Sequence, residues 1–549
     1  MTARKRNWII GIALFVLVAA AGLAVAASIA ASRIEPYARQ AAIRYLSQRF
    51  ASDVELRALR VRLPKASLLR LILTQGRGIS ARIEGEGLSM RLKSQPTAPP
   101  LFAIRTFHCE VGVDSLLHPP AYVSEVFVEG MEIQIPPRGE RPQLASSSGA
   151  APEDTTGAPP APSSPGVMIA KVIIRNAALT LRPKDPRKLP LRFEIPNLQL
   201  QSVSRDAPMK YEVALRNAKP PGDIHATGTF GPWRSGDPGE TPVAGDYLFE
   251  KADLGVFAGI AGTLNSTGRF EGQLSALTVH GQASVPNFRL RISGNPVPLT
   301  ARFSALVDGT NGNTILQPVT ATLGSTSFTT SGGIVKHEAD QHRTILLNVT
   351  MPNGNMRDVL RLAMKGDPFM EGKLALKTKI DIPPLAGKVR EKLVLDGRFE
   401  IHEGKFLHST IQNQIDNLSQ RAQGQPGEPA TEQAVSHMSG VFHMENAAIR
   451  FNKLTFGLPG ADLDLTGDYS LDSDALDFGG TLKLQATISQ MVSGWKGKLL
   501  KPVDRFFEKD GAGTFLHIRV DGTSKAPKLG VIIAGRTLEA PIRKRERVR

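Results

Sequence analysis

Hydrophobic positions along the chain change period twice, and each change marks a different element. Residues 8–31 carry no charge. As a helix they would span roughly 36 Å at about 1.5 Å per residue, more than a hydrocarbon core of roughly 30 Å. Residues 34–50 read as a second helix, with Ile34, Tyr37, Ala41, Tyr45 and Leu46 on one face and Arg39, Arg44 and Gln48 away from it. From Val54 the period is two. Val54, Leu56, Leu59, Val61 and Leu63 interleave with Glu55, Arg57, Arg60 and Arg62, with one slip near Ala58, as a half-buried strand requires.

An internal repeat follows. Val123, Val126, Val128, Ile133 and Ile135 are matched position for position by Ile169, Val172, Ile174, Leu179 and Leu181. Both copies alternate, slip by one residue, and alternate again, and Gly130 and Asn176 sit at the slips, residue types that tolerate the left-handed backbone of a bulge or tight turn. One supersecondary unit has been used at least twice. Between the copies, residues 138–166 are dense in Pro, Ser, Ala, Gly and Thr and read as a flexible linker or a long exposed loop.

Strand patterns then continue with few interruptions. Met209, Tyr211, Val213 and Leu215 alternate with charge, as do Leu374, Leu376, Ile380 and Ile382, then Leu393, Leu395, Phe399 and Ile401. Leu463, Leu465, Tyr469 and Leu471 oppose Asp462, Asp464, Asp468, Ser470 and Asp472, and Leu476, Phe478, Leu482, Leu484, Ala486 and Ile488 keep one parity. The run from Asp308 to Gly312 reads as a hairpin turn. Short helices are expected at 253–261, 356–364 and 410–422. One longer apolar stripe, Met491, Val492, Trp495, Leu499, Leu500, Val503, Phe506 and Phe507, has helical period, basic flanks and a kinking Pro502. This amphipathic helix, 489–509, either packs on the sheet or uses Trp495, Leu499, Phe506 and Phe507 to contact a membrane or plug an apolar trough.

Composition narrows the setting. The 549 residues are 41% hydrophobic, enough for a sizeable core and too apolar for general disorder. Lys and Arg number 67 against 51 Asp and Glu, and the net charge of +16 favours anionic neighbours. Arg4, Lys5 and Arg6 precede the apolar run, which argues for a cytoplasmic N-terminus and a body on the far side. Arg33, Arg39, Arg44 and Arg49 after the run oppose that orientation, although long downstream domains translocate largely regardless of charge. A cleaved signal peptide is the rival reading, but the run is longer than a usual signal core. A lipoprotein is excluded because no cysteine follows the run before Cys109, the single cysteine, which reads as a strand residue and cannot form an intramolecular disulfide.

About twenty strands with one apolar face each are accompanied by too little helix to cover that face. The sheet must close on itself as a sandwich or barrel, or hold something apolar in a curled trough. The candidate lining residues are Leu374, Leu376, Ile380, Leu393, Leu395, Phe399, Leu463, Leu465, Tyr469, Leu482 and Leu484. Site chemistry is sparse. His337, Glu338 and His342 have one residue too many for a zinc helix, and His402, Glu403 and His408 are no better. Asp308 to Asn313 lacks the closing acid of a calcium loop, and no nucleophile elbow, phosphate loop or paired-cysteine motif occurs. No metal, cofactor or catalytic residue is expected.

Several glycine-punctuated strand patterns resemble the AsmA-like family of diderm envelope proteins, particularly its C-terminal region. These are the apolar run with the helix from Tyr37 to Phe50, the stretch from Gly262 to Gly272 leading to Val279, Gly281 and Val285 to Phe288, and the ending from Ile518 to Pro527. The resemblance implies a mainly β fold, a long, curled, mostly antiparallel sheet with an apolar groove, an N-terminal transmembrane helix and few short helices. It also implies a role in binding or moving phospholipid between inner and outer membranes, with no catalytic residue to carry over. On this reading residues 1–33 are a cytoplasmic tip and inner-membrane anchor, 34–52 a juxtamembrane helix, 53–137 an N-terminal β region and 138–166 the linker. A central groove (167–410), a helix or loop insertion (411–437), a C-terminal β region (438–535) and a basic tail (536–549) follow in the periplasm. The expected partners are membrane phospholipids and envelope proteins, not nucleic acid. Two rival roles are an outer-membrane-protein chaperone working by β-augmentation and a periplasmic glycan-active enzyme.

Overall fold

The computed structural model describes residues 34–50, 52–62, 80–93, 99–112, 121–137, 167–183, 188–204, 206–234, 237–337, 340, 342–426, 434–492, 501, 502, 504, 507, 513–523, 526–533 and 536–539. The apolar run at 8–31, the linker at 138–166 and most of the stripe at 489–509 lie outside these residues. No helix among the described residues is long and apolar enough to cross a membrane, and the run expected to do so lies outside them. The chain is mainly β and forms two compact units, residues 1–253 with 264–281 and 306–312, and residues 254–263 with 282–305 and 313–549. The division does not fall at the linker, because strands on its two sides pair directly and share one core.

The first unit opens with helix α1 (Ile34–Phe50), which packs on β1 (Ser52–Arg62). Strands β2 (Ser80–Leu92), β3 (Phe102–Gly112) and β4 (Ala121–Ile135) follow by antiparallel pairing. Next come β5 (Val167–Leu181), β6 (Leu191–Val203), β7 (Met209–Ala218), β8 (Pro221–Phe230) and β9 (Pro242–Asp253), also antiparallel from β5 on. The exception to the antiparallel expectation is β4 with β5, which run parallel, and the two sequence repeats account for it. Val123 faces Ile169, Val126 faces Val172, Val128 faces Ile174 and Ile133 faces Leu179, so matched positions of the two copies lie side by side. A parallel pair cannot be closed by a tight hairpin and needs a connection of roughly a dozen residues or more, and residues 136–166 provide it.

The slips line up as well. Ladder pairing skips Arg57 opposite Gly87, Gly87 opposite Arg105, and Arg105 opposite Gly130. It skips Asn176 opposite Pro196 in the same way. Gly87, Gly130 and Asn176 have φ of 65°, 68° and 52°. An added residue in this conformation lets the strand keep its apolar face inward, so core positions on either side of the slip are three apart rather than two. Leu56 with Leu59, Ile104 with Phe107, Val128 with Met131, and Ile174 with Ala177 are all buried in this way. They join Ala42 and Leu46 of α1 in one dry core.

Strand β10 (Ile260–Ala261) follows a 3-10 turn at Leu254–Val256, where a short α-helix is expected from the sequence. Gly259, at a φ of 88°, breaks that pattern. Then come β11 (Thr263–Gln273), β12 (Ala276–Leu290) and β13 (Val297–Val307). The turn after β13 is closed internally, with Asp308 accepting from the Thr310 amide at 2.8 Å and from Asn311 Nδ2 at 2.7 Å.

The second unit is an antiparallel meander. It runs through β14 (Thr314–Leu323), β15 (Thr326–Val335), β16 (Thr344–Asn355), helix α2 (Met356–Ala363) and β17 (Met370–Ile382). Helix α3 (Val389–Lys392), β18 (Val394–Phe406), helix α4 (Ser409–Ala422), β19 (Ser436–Glu445), β20 (Ala448–Leu458) and β21 (Ala461–Ser470) continue it. It ends with β22 (Ala475–Leu484), β23 (Thr514–Thr523), β24 (Ala526–Ile533) and β25 (Arg536–Glu539). Helices α2 and α4 coincide with the expected ones at 356–364 and 410–422. The parity that continues through Ala486 and Ile488 in the sequence is not strand: β22 stops at Leu484, and the Ala486 amide donates to the Ala422 carbonyl at 2.8 Å. Among the described ladders β1 pairs only with β2 and β25 only with β24, so the sheet is not closed.

Candidate functional site

The second unit separates its two sheet faces by chemistry. On one face, Thr378, Gly397, Phe442, Phe451, Gly467, Phe478 and Val520 are successive cross-strand partners from β17 to β23. The neighbouring row runs Leu376, Phe399, Gly440, Leu454, Leu465 and Gly480. Phenylalanine rings lie over the glycines: a Cβ on Gly397 would sit 2.6 Å from Phe442 Cζ, and one on Gly440 would sit 2.7 Å from Phe399 Cε1. The rings touch in sequence, Phe399 to Phe442 at 6.3 Å, Phe442 to Phe451 at 6.5 Å and Phe451 to Phe478 at 5.9 Å between centroids.

Among the described residues, helices cover this apolar face at one end of the strands. Helix α2 brings Met356, Val359 and Leu360 over buried Met351, Met370, Leu374 and Ile401. Leu418 and Ala422 of α4 pack with Leu458, Ala461, Leu482 and Leu484. Away from the helices Leu376, Ile380, Ile382, Leu395, Phe399, Phe442, Phe451, Leu454, Leu465, Tyr469 and Leu476 are half-buried.

The opposite face is polar and wet. His443 Nδ1 lies 2.7 Å from Asp396, Arg450 donates to Asp468 at 2.9 Å and Arg519 to Asp477 at 2.9 Å. The hydrogen bond that His443 donates to Asp396 holds its imidazole above its ordinary range. The hydrogen bond from Lys373 likewise lowers the Glu403 carboxyl. Solvent-facing pairs of this kind add little stability singly, so their role here is to fix which face is outside.

The sequence candidates divide accordingly. Leu376, Ile380, Leu395, Phe399, Leu463, Leu465 and Tyr469 are half-buried on the apolar face, with the Tyr469 hydroxyl donating to Asp474 at 2.8 Å. Leu374, Leu482 and Leu484 are buried at 4%, 9% and 3% exposure, which makes them core beneath the helices rather than lining. Leu393 precedes β18 and ends α3, its amide donating to the Val389 carbonyl. Phe507 is half-buried in a turn joined to the Phe515 amide, and Trp495, Leu499 and Phe506 lie outside the described residues. The sequence reading missed Phe442 and Phe451. Their strands do alternate, as Met438, Gly440, Phe442 and Met444 show, but a glycine at an apolar position hides the pattern from hydropathy.

No group of three His, Cys, Asp or Glu side chains among the described residues could hold a metal ion. Cys109 is 1% exposed, and burial pushes its thiol up to about 12, which leaves it protonated and unreactive. No family model, curated protein or solved structure matches this sequence.

Proposed function

We propose that this protein is an AsmA-like lipid-accommodating protein, tethered at the inner membrane by residues 8–31 with its body in the periplasm, and that the apolar face of the second unit holds phospholipid acyl chains. One observation carries the reading: a contiguous face of Phe, Leu, Ile and Gly across β17–β23 is largely half-buried, and among the described residues α2 and α4 cover one end of it. Burial of apolar surface is worth roughly 0.8 kcal/mol per methylene, so an acyl chain on this face gains affinity without a polar anchor. The glycines let the rings lie down on the sheet, so the face offers an acyl chain a continuous apolar surface. Nothing catalytic is assigned.

The test is lipid extraction and mass spectrometry of the purified full-length protein, in wild type and in Phe442→Asp and Phe451→Asp. These residues stand on the half-exposed stretch, so the variants are expected to fold, and a carboxylate there opposes apolar occupancy by several kcal/mol, about the cost of burying an unpaired charge. Phospholipid should co-purify with the wild type and be lost from both variants at unchanged secondary structure. Equal lipid in the folded variants would refute the trough, and bound polypeptide in place of lipid would favour the chaperone role.

A further inference from the structure

In the first unit a cleft of about 1060 Å³ follows the row of aligned slips. Leu56, Ile104 and Ile195 give it an apolar lining, and it carries charge of both signs: Arg57, Arg105 and Arg192 with Glu55, Glu132 and Glu194. Register explains how these groups are spaced. Arg57 and Arg105 flank Gly87, and Glu132 and Glu194 flank Ala178, so a small residue stands between each like-charged pair. Arg57 lies across Gly87, its Cζ 3.7 Å from where a Cβ there would sit. Arg105 is held by Glu129 at 2.9 Å, and Asn176 Nδ2 donates to the same carboxylate oxygen at 2.7 Å. Arg39 also reaches the cleft, with its Nε donating to the Leu56 carbonyl at 2.6 Å. The side chains of Arg57, Arg192, Glu55, Glu132 and Glu194 make no ion pair or hydrogen bond with any described residue.

Charges of both signs that line one cleft without neutralising each other favour a ligand that carries both. A simple anion would meet three carboxylates, and a simple cation would meet the guanidiniums. We infer that this cleft binds a ligand bearing a phosphate and an ammonium group, the phosphate on the Arg57 side and the ammonium toward Glu132 and Glu194. Guanidinium suits phosphate because its planar fork gives two parallel hydrogen bonds. The arginine pair centres on β2 and the glutamate pair on β5, three strand spacings or roughly 14 Å apart. The hydrogen-bonded contacts at the two ends, each roughly 3 Å long, take up part of this span, so an aminosugar phosphate fits better than a compact head. The same chemistry occurs in free phosphoesters and in lipid headgroups. The inference goes beyond the trough, which lies in the other unit, and does not require it.

Calorimetric titration of the full-length protein with glucosamine 6-phosphate tests the site, with glucose 6-phosphate and glucosamine as single-ended controls and dihexanoyl phosphatidylethanolamine as the lipid-borne form. The two-ended sugar should bind about tenfold tighter than either control, since each control lacks one of the two charge contacts. Arg57→Ala should weaken every phosphate-bearing probe, and Glu194→Gln should remove the preference for the amine, both at unchanged melting temperature. Binding of the short-chain lipid alone, lost in Arg57→Ala, would assign a headgroup as the source and uphold the site. No saturable binding of any probe, or binding unchanged in folded Arg57→Ala, would overturn it. Co-purifying phospholipid together with silent titrations would reject this cleft while leaving the trough intact. Titration without co-purifying lipid would do the reverse.

Discussion

A few residues in left-handed backbone decide where the first unit can have a core. Gly130 shows the constraint most directly: its φ is 68°, and a Cβ there would lie 2.8 Å from Arg105 Nε. Gly130→Val should therefore destabilise the protein by about 1–3 kcal/mol, through backbone strain and displacement of Arg105. Asn176→Gly, at the equivalent place in the second repeat with φ 52°, should be close to neutral. Chemical denaturation of the two variants checks the contrast, and equal losses would refute it. These slips were readable beforehand at Ala58, Gly130 and Asn176, because the apolar period breaks there. Their alignment into one row was not, since it depends on register. The Gly397 and Gly440 positions on the apolar face were invisible for the opposite reason, a missing side chain whose space is filled from the next strand.

At the scale of elements, local pattern predicted most strands and both longer described helices, and failed where tertiary contacts decide. The parity of Leu482 and Leu484 continues into Ala486, yet the chain turns there because its amide is taken by the end of α4. A mostly antiparallel sheet was expected without a place for a parallel pair, and that place is where two copies of one pattern match side by side and in the same direction. Helix α2 is fixed by its first turn. Asn355 accepts from the Arg357 amide at 3.0 Å, and Asp358 accepts from the Ser325 amide at 2.8 Å, Ser325 Oγ at 2.6 Å and Thr326 Oγ1 at 2.9 Å. Asp358→Ala leaves Thr326 Oγ1, in a residue 1% exposed, without its carboxylate. The loss should be about 1–3 kcal/mol, the usual cost of breaking a charge-assisted network of this kind. It should also bring faster amide exchange at Val359 and Leu360, measurable by mass spectrometry. Unchanged exchange would mean that packing alone holds the helix.

Across the whole molecule, one unit buries its apolar face and the other leaves much of it half-exposed. Composition could announce the surplus of apolar strand surface, but not its location, because the first unit hides its share beneath α1 and in the one core its strands share. The wet face offers a mild pH response. His443 has its imidazole raised chiefly by the Asp396 hydrogen bond, so the stabilisation is fully present below the unfolded value of about 6.5 and is lost as pH rises through the folded value. Because the ring is 38% exposed the effect is small. Melting temperatures of wild type and His443→Gln should differ more at pH 5.5 than at pH 8, and an identical gap at both would show that the pair contributes nothing.

The in-register pairing of β4 with β5 fixes both ends of the chain between them and asks of its length only that it span the return. Closing a flexible loop grows costlier only with the logarithm of its length, about 0.6 kcal/mol per doubling. The segment between the two copies is thus free to lengthen, shorten or change composition over evolutionary time while the ladder beside it stays the same.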